Sequence, residues 1–162
     1  IAIRVKGRTE VGVVYDPIRN ELFTAVRGEG AKLNDLRLRV ENKRDLSGAV
    51  LATGFPFKQA KYMPMQFRMM ESLIQEVADF RRTGSAALDL CYVAAGRVDG
   101  YFEYGIKAWD VAAGDLIVRE AGGIVTDYHA GHGYLKAGHI VAAAPRVLKE
   151  MLNKIQPCLA ED

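Results

Sequence analysis

The sequence predicts an α/β fold built in layers, in which an antiparallel meander is followed by a mixed sheet flanked by helices. Apolar and polar residues alternate along the first part of the chain, with turn residues between the runs, which is typical of antiparallel strands. From about Ala49 onward, short apolar runs alternate with segments that carry an apolar stripe at helical spacing. The chain of 162 residues is long enough for a substantial core, and its apolar fraction of 49% is that of a globular protein.

The amino-terminal strands are predicted from alternation and from turn residues. Ile1–Val5 and Val11–Tyr15 alternate as strands and are joined by a turn at residues 6–9. Asp16-Pro17 starts a second turn, from which Glu21–Arg27 returns as a third strand. Because Ile1 already lies within a strand, we expect the chain to be the later part of a longer protein.

A boundary between two parts of the chain is predicted near residue 46. Gly28-Glu29-Gly30 has the glycines of a phosphate-binding loop, but no helix follows it, so it predicts a turn. The link around Glu41–Ser47 is polar. We expect residues 1–46 to be the end of an amino-terminal antiparallel sheet subdomain and residues 47–162 to be a carboxy-terminal α/β subdomain.

The second part of the chain predicts alternating strands and helices. The strands are short and mostly apolar: Val50–Thr53, 78–82, Val98–Tyr104, Ile124–Thr126 and Ile140–Ala143. Helices are predicted for 63–77, Ala86–Ala95, the segment after Trp109 and the segment from Pro145. In the first of these helices we expect the apolar stripe to be Phe67, Met70, Ile74 and Val77.

Composition limits the classes of function. The net charge of +2 makes no strong case for nucleic acid or a membrane surface, and the basic group at residues 37–44 is interpreted as a solvated loop, with RNA binding as a minor alternative. No apolar run approaches the roughly 18 residues of a membrane span. Cys91 and Cys158 lie far apart, without metal-ligand or disulfide-framework spacing, which favours a reducing cytoplasm.

Three segments predict a common site at the carboxyl ends of the strands, where ligands collect in open α/β sheets. The first is Arg81 with the turn Gly84-Ser85-Ala86, where free backbone N–H groups and a glycine allow close approach of a ligand. The second is Glu103 at the end of a strand. The third is Asp110, whose carboxylate lies in the first turn of a helix and suits a hard metal or a substrate hydroxyl.

Each of these residues also has a purely structural interpretation. Asp110 and Ser85 are typical helix caps, and Glu103 could simply be solvated at a strand end. Arg81 could only pair with a neighbouring aspartate, and Trp109 is interpreted as a packing residue.

The segment Trp109–Gly114, followed at the expected separation by Glu120–Gly123, is similar to the carboxy-terminal signature of the inositol monophosphatases. The likeness extends over nearly the whole chain, from Gly12–Asp16 to Ile155, and is greatest for the bacterial branch that also serves in transcription antitermination. It implies a cytoplasmic, lithium-sensitive, Mg²⁺-dependent phosphomonoesterase with an αβαβα sugar-phosphatase sandwich. It also implies hydrolysis of myo-inositol monophosphate and a homodimer, for which the Met-rich 63–77 helix is a plausible contact.

The resemblance also implies roles for single residues. Asp110 matches a carboxylate that binds the second Mg²⁺ and contacts the inositol ring. The turn Gly84-Ser85-Ala86 matches the substrate-binding turn, Glu103 matches an acid that accepts hydrogen bonds from inositol hydroxyls, and Arg81 matches a substrate-side arginine. The metals would make a nucleophile from water and neutralise charge on the phosphate, while these residues position the polyol.

One large departure from the family pattern is the absence of its Asp-Pro-x-Asp-Gly-Thr metal and phosphate loop. A single carboxylate cannot hold Mg²⁺ at a phosphate, so we expect these 162 residues alone to be inactive and the full-length protein to be active. Two alternatives stay open. One is a sister phosphatase for fructose 1,6-bisphosphate, histidinol phosphate or a phosphoadenosine nucleotide, and the other is a partner module for transcription antitermination factors or RNA polymerase.

Overall fold

A computed structural model of the chain describes residues 1–159, which contain two five-stranded sheets and five α-helices. The strands are β1 (Ala2–Val5), β2 (Arg8–Asp16), β3 (Glu21–Val26), β4 (Gly30–Leu33), β5 (Leu36–Arg37), β6 (Val50–Thr53), β7 (Asp79–Arg81), β8 (Gly100–Tyr104), β9 (Ile124–Thr126) and β10 (His139–Ala143). The helices are α1 (Met63–Ile74), α2 (Ala86–Ala94), α3 (Ala108–Glu120), α4 (Tyr134–Ala137) and α5 (Pro145–Ile155). Two short 3₁₀ segments precede α1 and follow α5.

The first sheet is antiparallel throughout, with its strands in chain order from β1 to β5. The predicted three-strand meander is therefore present, but β4 and β5 were not predicted. Gly28, at φ +82°, does form the expected turn, yet Gly30 already begins β4. β5 has only two residues, and β4 begins at a glycine of the predicted turn, so alternation of apolar and polar residues did not reveal them.

The second sheet is mixed, with the order β7-β6-β8-β10-β9. β6 runs parallel to both β7 and β8, whereas β10 runs antiparallel to β8 and β9. Because β6, β7 and β8 are parallel, their carboxyl ends meet at one edge of the sheet. The segments that follow these three strands are the ones in which the sequence predicts a site.

The elements stack in four layers within residues 1–159. Helices α2 and α3 lie between the two sheets, since α3 contacts β2, β3 and β4 as well as β9 and β10, and α2 contacts β8. Helices α1 and α5 contact each other and cover the opposite face of the second sheet. The predicted class, an antiparallel sheet and a mixed sheet flanked by helices, is confirmed.

Two glycines allow the central helices to pack closely. A Cβ atom at Gly114 in α3 would lie 2.7 Å from the Cβ and Cδ1 atoms of Leu90 in α2. A Cβ atom at Gly12 in β2 would lie 2.7 Å from the carbonyl oxygen of Ala113. The glycine of the Trp109–Gly114 segment is therefore required where the two central helices touch.

The predicted apolar stripe of the first helix is wrong for Phe67 and Ile74, whereas Met70 and Val77 are partly buried and pack against the core. The buried face of α1 consists of Met65, Gln66, Met69 and Leu73, whereas Phe67 and Ile74 are 54% and 55% exposed. The helix also ends at residue 74 rather than 77. Apolar residues recur at helical spacing on both faces of α1. The face with Met65 and Met69 is buried because it contacts α5 and the second sheet.

Core packing joins the two halves of the chain. One cluster of buried residues contains Phe23 and Ala25 from the first sheet together with Leu90 and Ile117 from the central helices. The boundary between residues 46 and 47 stays a prediction. Cys91 is fully buried, as expected for a small apolar side chain. Among residues 1–159 no helix is long and apolar enough to cross a membrane.

Candidate active site

A cleft of about 580 Å³ opens at the edge of the second sheet where β6 and β8 end. Its walls come from the segment after β6, the start of α2, the end of β8 and the start of α3. The lining residues are Phe55, Pro56, Phe57, Lys58, Gln59, Gly84, Ser85, Ala86, Ala87, Glu103, Tyr104, Gly105, Ile106, Lys107, Trp109 and Asp110. The three segments in which the sequence predicts a site thus line one cavity.

The turn before α2 presents a helix amino terminus to the cleft. Gly84 has φ +95°, a left-handed conformation that favours glycine, and it lets the chain bend sharply into the helix. Ser85 is the N-cap residue, and its Oγ accepts a hydrogen bond of 3.4 Å from the backbone N–H of Leu88. The capping interpretation of Ser85 is therefore correct, and the same residue also lines the cleft. Free N–H groups and the helix dipole favour an anion here.

Asp110 combines a capping role with a position in the cleft. Its Oδ2 accepts a hydrogen bond of 3.0 Å from the backbone N–H of Lys107, the N-cap residue of α3. This bond fixes the side chain at the first turn of the helix. The second oxygen, Oδ1, makes no hydrogen bond with other residues in the range 1–159 and is available to a ligand.

Glu103 lies at the end of β8 and is half-buried in the cleft wall. Its Oε2 accepts a hydrogen bond of 2.6 Å from the hydroxyl of Tyr101. Burial raises the pKa of Glu103, the hydrogen bond from Tyr101 opposes the rise, and the neighbouring Asp89 adds to it. The alternative of a freely solvated carboxylate at the strand end is wrong.

A second carboxylate lies behind the cleft. Asp89 and Glu103 border a small recess of about 40 Å³, with Arg82 at its rim. Asp89 is 1% exposed and accepts a hydrogen bond of 2.6 Å from the hydroxyl of Thr83. Burial raises the pKa of Asp89 to about 6, although Thr83 and Arg82 both oppose this shift.

The outer wall of the cleft is aromatic and basic. Trp109 is 82% exposed, so its interpretation as a packing residue is wrong. The guanidinium of Arg82 lies 5.7 Å from the ring centre of Phe57, within the range of a cation–π contact. Lys58 and Lys107 also line the cleft and bring positive charge toward an anionic ligand.

Arg81 does not line this cleft. Its guanidinium pairs with Asp79 on the same strand, as the structural interpretation of this residue suggested. The adjacent Arg82 is the arginine that borders the recess. Arg81 is the last residue of β7 and Arg82 the first after it, and the sequence alone did not indicate which of the two adjacent arginines faces the site.

The described residues do not form a complete metal site. Within residues 1–159 no group of three or more histidine, cysteine, aspartate or glutamate side chains is close enough to hold a metal ion. Asp110 can supply one carboxylate, but a site for a divalent cation at a phosphate needs several oxygen ligands. These residues can therefore supply one ligand of a metal centre but not the full set.

The layered α/β fold and its polar cleft define the class of protein. Comparison with known sequences identifies this class. The chain belongs to the inositol monophosphatase family, whose sequence model matches residues 1–161. Proteins of this family are generally metal-dependent.

Individual relatives agree with this assignment. A Nus factor SuhB of Pasteurella multocida is 80% identical over 162 residues, which cover 100% of this chain and 61% of that protein. The structure of extragenic suppressor protein suhB from Bartonella henselae is 42% identical, with a TM-score of 0.92, over 96% of this chain and 59% of that one. An inositol monophosphatase from Anabaena is 37% identical, with a TM-score of 0.91, over 96% of this chain and 64% of that one. The chain thus spans about 61% of the curated relative.

Proposed function

We propose that this chain is the substrate-binding part of a Mg²⁺-dependent phosphomonoesterase that hydrolyses myo-inositol monophosphate to inositol and phosphate. The observation that carries the proposal is the convergence of Asp110, Glu103 and the turn Gly84-Ser85-Ala86 on one cleft, in a member of the inositol monophosphatase family.

The polar groups of the cleft suit a phosphorylated polyol. Glu103 is an acceptor for ring hydroxyls, and its negative charge disfavours a second phosphate at the same position. The amino terminus of α2 offers backbone N–H donors, while Lys58 and Lys107 attract the anionic ester. A neutral ring that carries one phosphate matches this distribution of charge better than a bisphosphate does.

Asp110 would be one ligand of a Mg²⁺ ion, with the remaining ligands supplied from outside these residues. We therefore expect the 162 residues alone to release no phosphate. Arg81 stays a prediction from the family resemblance, since its side chain pairs with Asp79 and does not line the cleft.

The test compares phosphate release by the full-length protein from four substrates with Mg²⁺ present: myo-inositol 1-phosphate, fructose 1,6-bisphosphate, histidinol phosphate and a phosphoadenosine nucleotide. We expect preference for the inositol phosphate and a loss of at least about 100-fold in kcat/KM for Asp110→Asn, because a charged ligand to metal and substrate is removed. Asp35→Asn is the matched control, since Asp35 is exposed in the turn between β4 and β5. No preference for inositol phosphates would refute the substrate, and an unaffected Asp110→Asn would refute the role of Asp110.

The name of the Pasteurella multocida relative, a Nus factor at 80% identity, favours a second function in transcription antitermination. We propose that the full-length protein also binds antitermination factors or RNA polymerase, through a surface separate from the cleft. The full-length Asp110→Asn variant should then retain binding in a pull-down while it loses hydrolysis. Loss of both properties would argue against a separate binding function.

We also propose that the full-length protein is a homodimer, as the family resemblance implies. The methionines Met65 and Met69 of α1 are core residues, so they are not available for the contact. Phe67 and Ile74 remain exposed on the same helix. Sedimentation of the full-length protein should give the mass of a dimer, and a monomer at micromolar concentration would refute the proposal.

A further inference from the structure

We propose that Tyr101 and Gly54 are positioning residues, which hold the Glu103 carboxylate in one orientation so that it accepts hydrogen bonds from the hydroxyls of a polyol substrate. The inference rests on the proposed function, in which Glu103 contacts the polyol. Neither residue lines the main cleft, and each acts through Glu103.

Tyr101 fixes one oxygen of the carboxylate. Its side chain lies two positions before Glu103 on β8, so both side chains project from the same face of the sheet. The ring is 0% exposed and is packed in the core cluster between the sheets, which locks its rotamer. The hydroxyl donates to Oε2 at 2.6 Å, a length typical of a charge-assisted hydrogen bond. The other oxygen, Oε1, is left for a ligand.

Gly54 provides the space into which the carboxylate fits. It follows β6, whose last residue Thr53 pairs with Phe102, so position 54 lies beside Glu103. A Cβ atom at Gly54 would lie 2.2 to 2.3 Å from the three carboxyl atoms of Glu103. The backbone of Gly54 is not in the left-handed region, so glycine is needed here for space and not for conformation.

The end of β6 is itself held in place. The Thr53 hydroxyl donates to the carbonyl oxygen of Phe102 at 2.7 Å, and the Gln66 amide of α1 donates to the same hydroxyl at 2.9 Å. Thr53 and Gln66 are both buried. The two walls around the carboxylate, at Tyr101 and at Gly54, are therefore rigid parts of the fold.

Charged and titratable groups on several neighbouring segments act on Glu103. Asp89 of α2 and Asp110 of α3 raise its pKa, whereas Arg82, in the turn before α2, lowers it. The hydrogen bond from Tyr101 also lowers it, and Tyr128, which follows β9, is the other titratable neighbour. Burial raises the pKa of Tyr101 well above its usual value, so its hydroxyl keeps the proton that it donates.

The test uses the full-length protein with Tyr101→Phe and two substrates, myo-inositol 1-phosphate and p-nitrophenyl phosphate, which has no polyol. We expect KM for the inositol phosphate to rise about tenfold with kcat nearly unchanged, because a hydrogen bond that orients a charged group is lost. KM for p-nitrophenyl phosphate should stay unchanged. The acid limb of kcat/KM for the inositol phosphate should move to higher pH, because Glu103 loses the bond that lowers its pKa.

Tyr128→Phe is the matched control. Tyr128 is 1% exposed, and its hydroxyl has no hydrogen-bond partner within residues 1–159, so this variant should behave as wild type. Gly54→Ala provides an independent variant. The group that it displaces is the end of the Glu103 side chain and not backbone, so the fold should survive while KM for the inositol phosphate rises. Gly133→Ala is its control, since the nearest atom to the added Cβ lies 3.6 Å away.

A double-variant comparison decides whether Tyr101 acts through Glu103. Tyr101→Phe should have no further effect on KM once Glu103→Ala is present. The positioning role would be overturned if Tyr101→Phe raised KM equally for both substrates. It would also be overturned if Tyr101→Phe raised KM for the inositol phosphate as much in the Glu103→Ala background as in the wild type. A wild-type protein that hydrolyses inositol phosphate while Tyr101→Phe and Gly54→Ala leave its KM unchanged would overturn this inference alone. A wild-type protein that does not hydrolyse inositol phosphate would overturn the proposed function and this inference with it.

Discussion

Gly114→Ala places a methyl group in the contact between α2 and α3. The added Cβ would lie 2.7 Å from both the Cβ and the Cδ1 of Leu90. The Cβ of Leu90 is attached to the helix backbone and cannot swing away as the end of a flexible side chain can. The clash must therefore be relieved by a shift of one helix against the other.

Two opposing terms set the size of the effect. In an exposed helix, alanine in place of glycine stabilises by about 1 kcal/mol. Overpacking of a tight contact costs about 1 to 3 kcal/mol. The net expectation for Gly114→Ala is a loss of about 1 kcal/mol in the free energy of unfolding. For Gly114→Val, which adds two more carbons and has a lower helix propensity, we expect a loss of about 3 kcal/mol.

Urea unfolding of the full-length protein measures both changes, provided that the slope with denaturant concentration stays constant. In a Leu90→Ala background part of the cost of Gly114→Ala should disappear, because the contact with Cδ1 is removed while the Cβ of residue 90 remains. A rise of about 1 kcal/mol for Gly114→Ala in the wild-type background would mean that helix propensity alone governs the position. That result would refute the close packing of α2 on α3.

Two further predictions concern carboxylates. Glu120 accepts hydrogen bonds of 2.9 Å from the backbone N–H groups of both Gly28 and Gly30, so Glu120→Ala should lower the free energy of unfolding by about 1 to 2 kcal/mol in urea titrations. The pKa of Asp89 is raised to about 6 in the folded state, compared with about 3.9 when unfolded. The folded protein therefore holds this proton more tightly, and stability falls as the pH rises from about 4 to about 6. Asp89→Asn should remove that fall, a gain on the order of 1 to 3 kcal/mol at pH 7.5 and almost none at pH 4.

The controls for these predictions lie close by. Glu29→Ala alters an exposed carboxylate on the same turn as Gly28 and Gly30, and it should leave the unfolding midpoint unchanged. If Glu120→Ala matches that control, the two hydrogen bonds contribute nothing to stability. If Asp89→Asn gives the same gain at pH 4 and pH 7.5, the effect does not come from ionisation of Asp89.

The sequence predicted most of the strands, four of the five α-helices within residues 1–159 and the segments that meet in the cleft, but not the four-residue helix α4. It could not select the buried face of α1, because Phe67 and Met69 both belong to stripes with helical spacing, and only the packing partner distinguishes the stripes. Trp109 was misjudged because a large aromatic side chain is usually buried, whereas this one stands at the rim of a cleft. The hydrogen bond from Tyr101 to Glu103 was not predicted, since the strand around Tyr101 is rich in aromatic residues. Its two-residue spacing from Glu103 was the available signal.

Helix α3 carries acidic groups near both of its ends. Asp110 in the first turn borders the cleft, and Glu120 at the last position accepts hydrogen bonds from the β3–β4 turn of the first sheet. The helix has 13 residues and so extends for about 20 Å. Inserting or deleting one residue between the two acids would rotate one relative to the other by about 100° around the helix axis. The number of residues between the two acids is thus fixed by their contacts at the two ends of the helix. The side chains between them can change in evolution far more easily than the length of the helix.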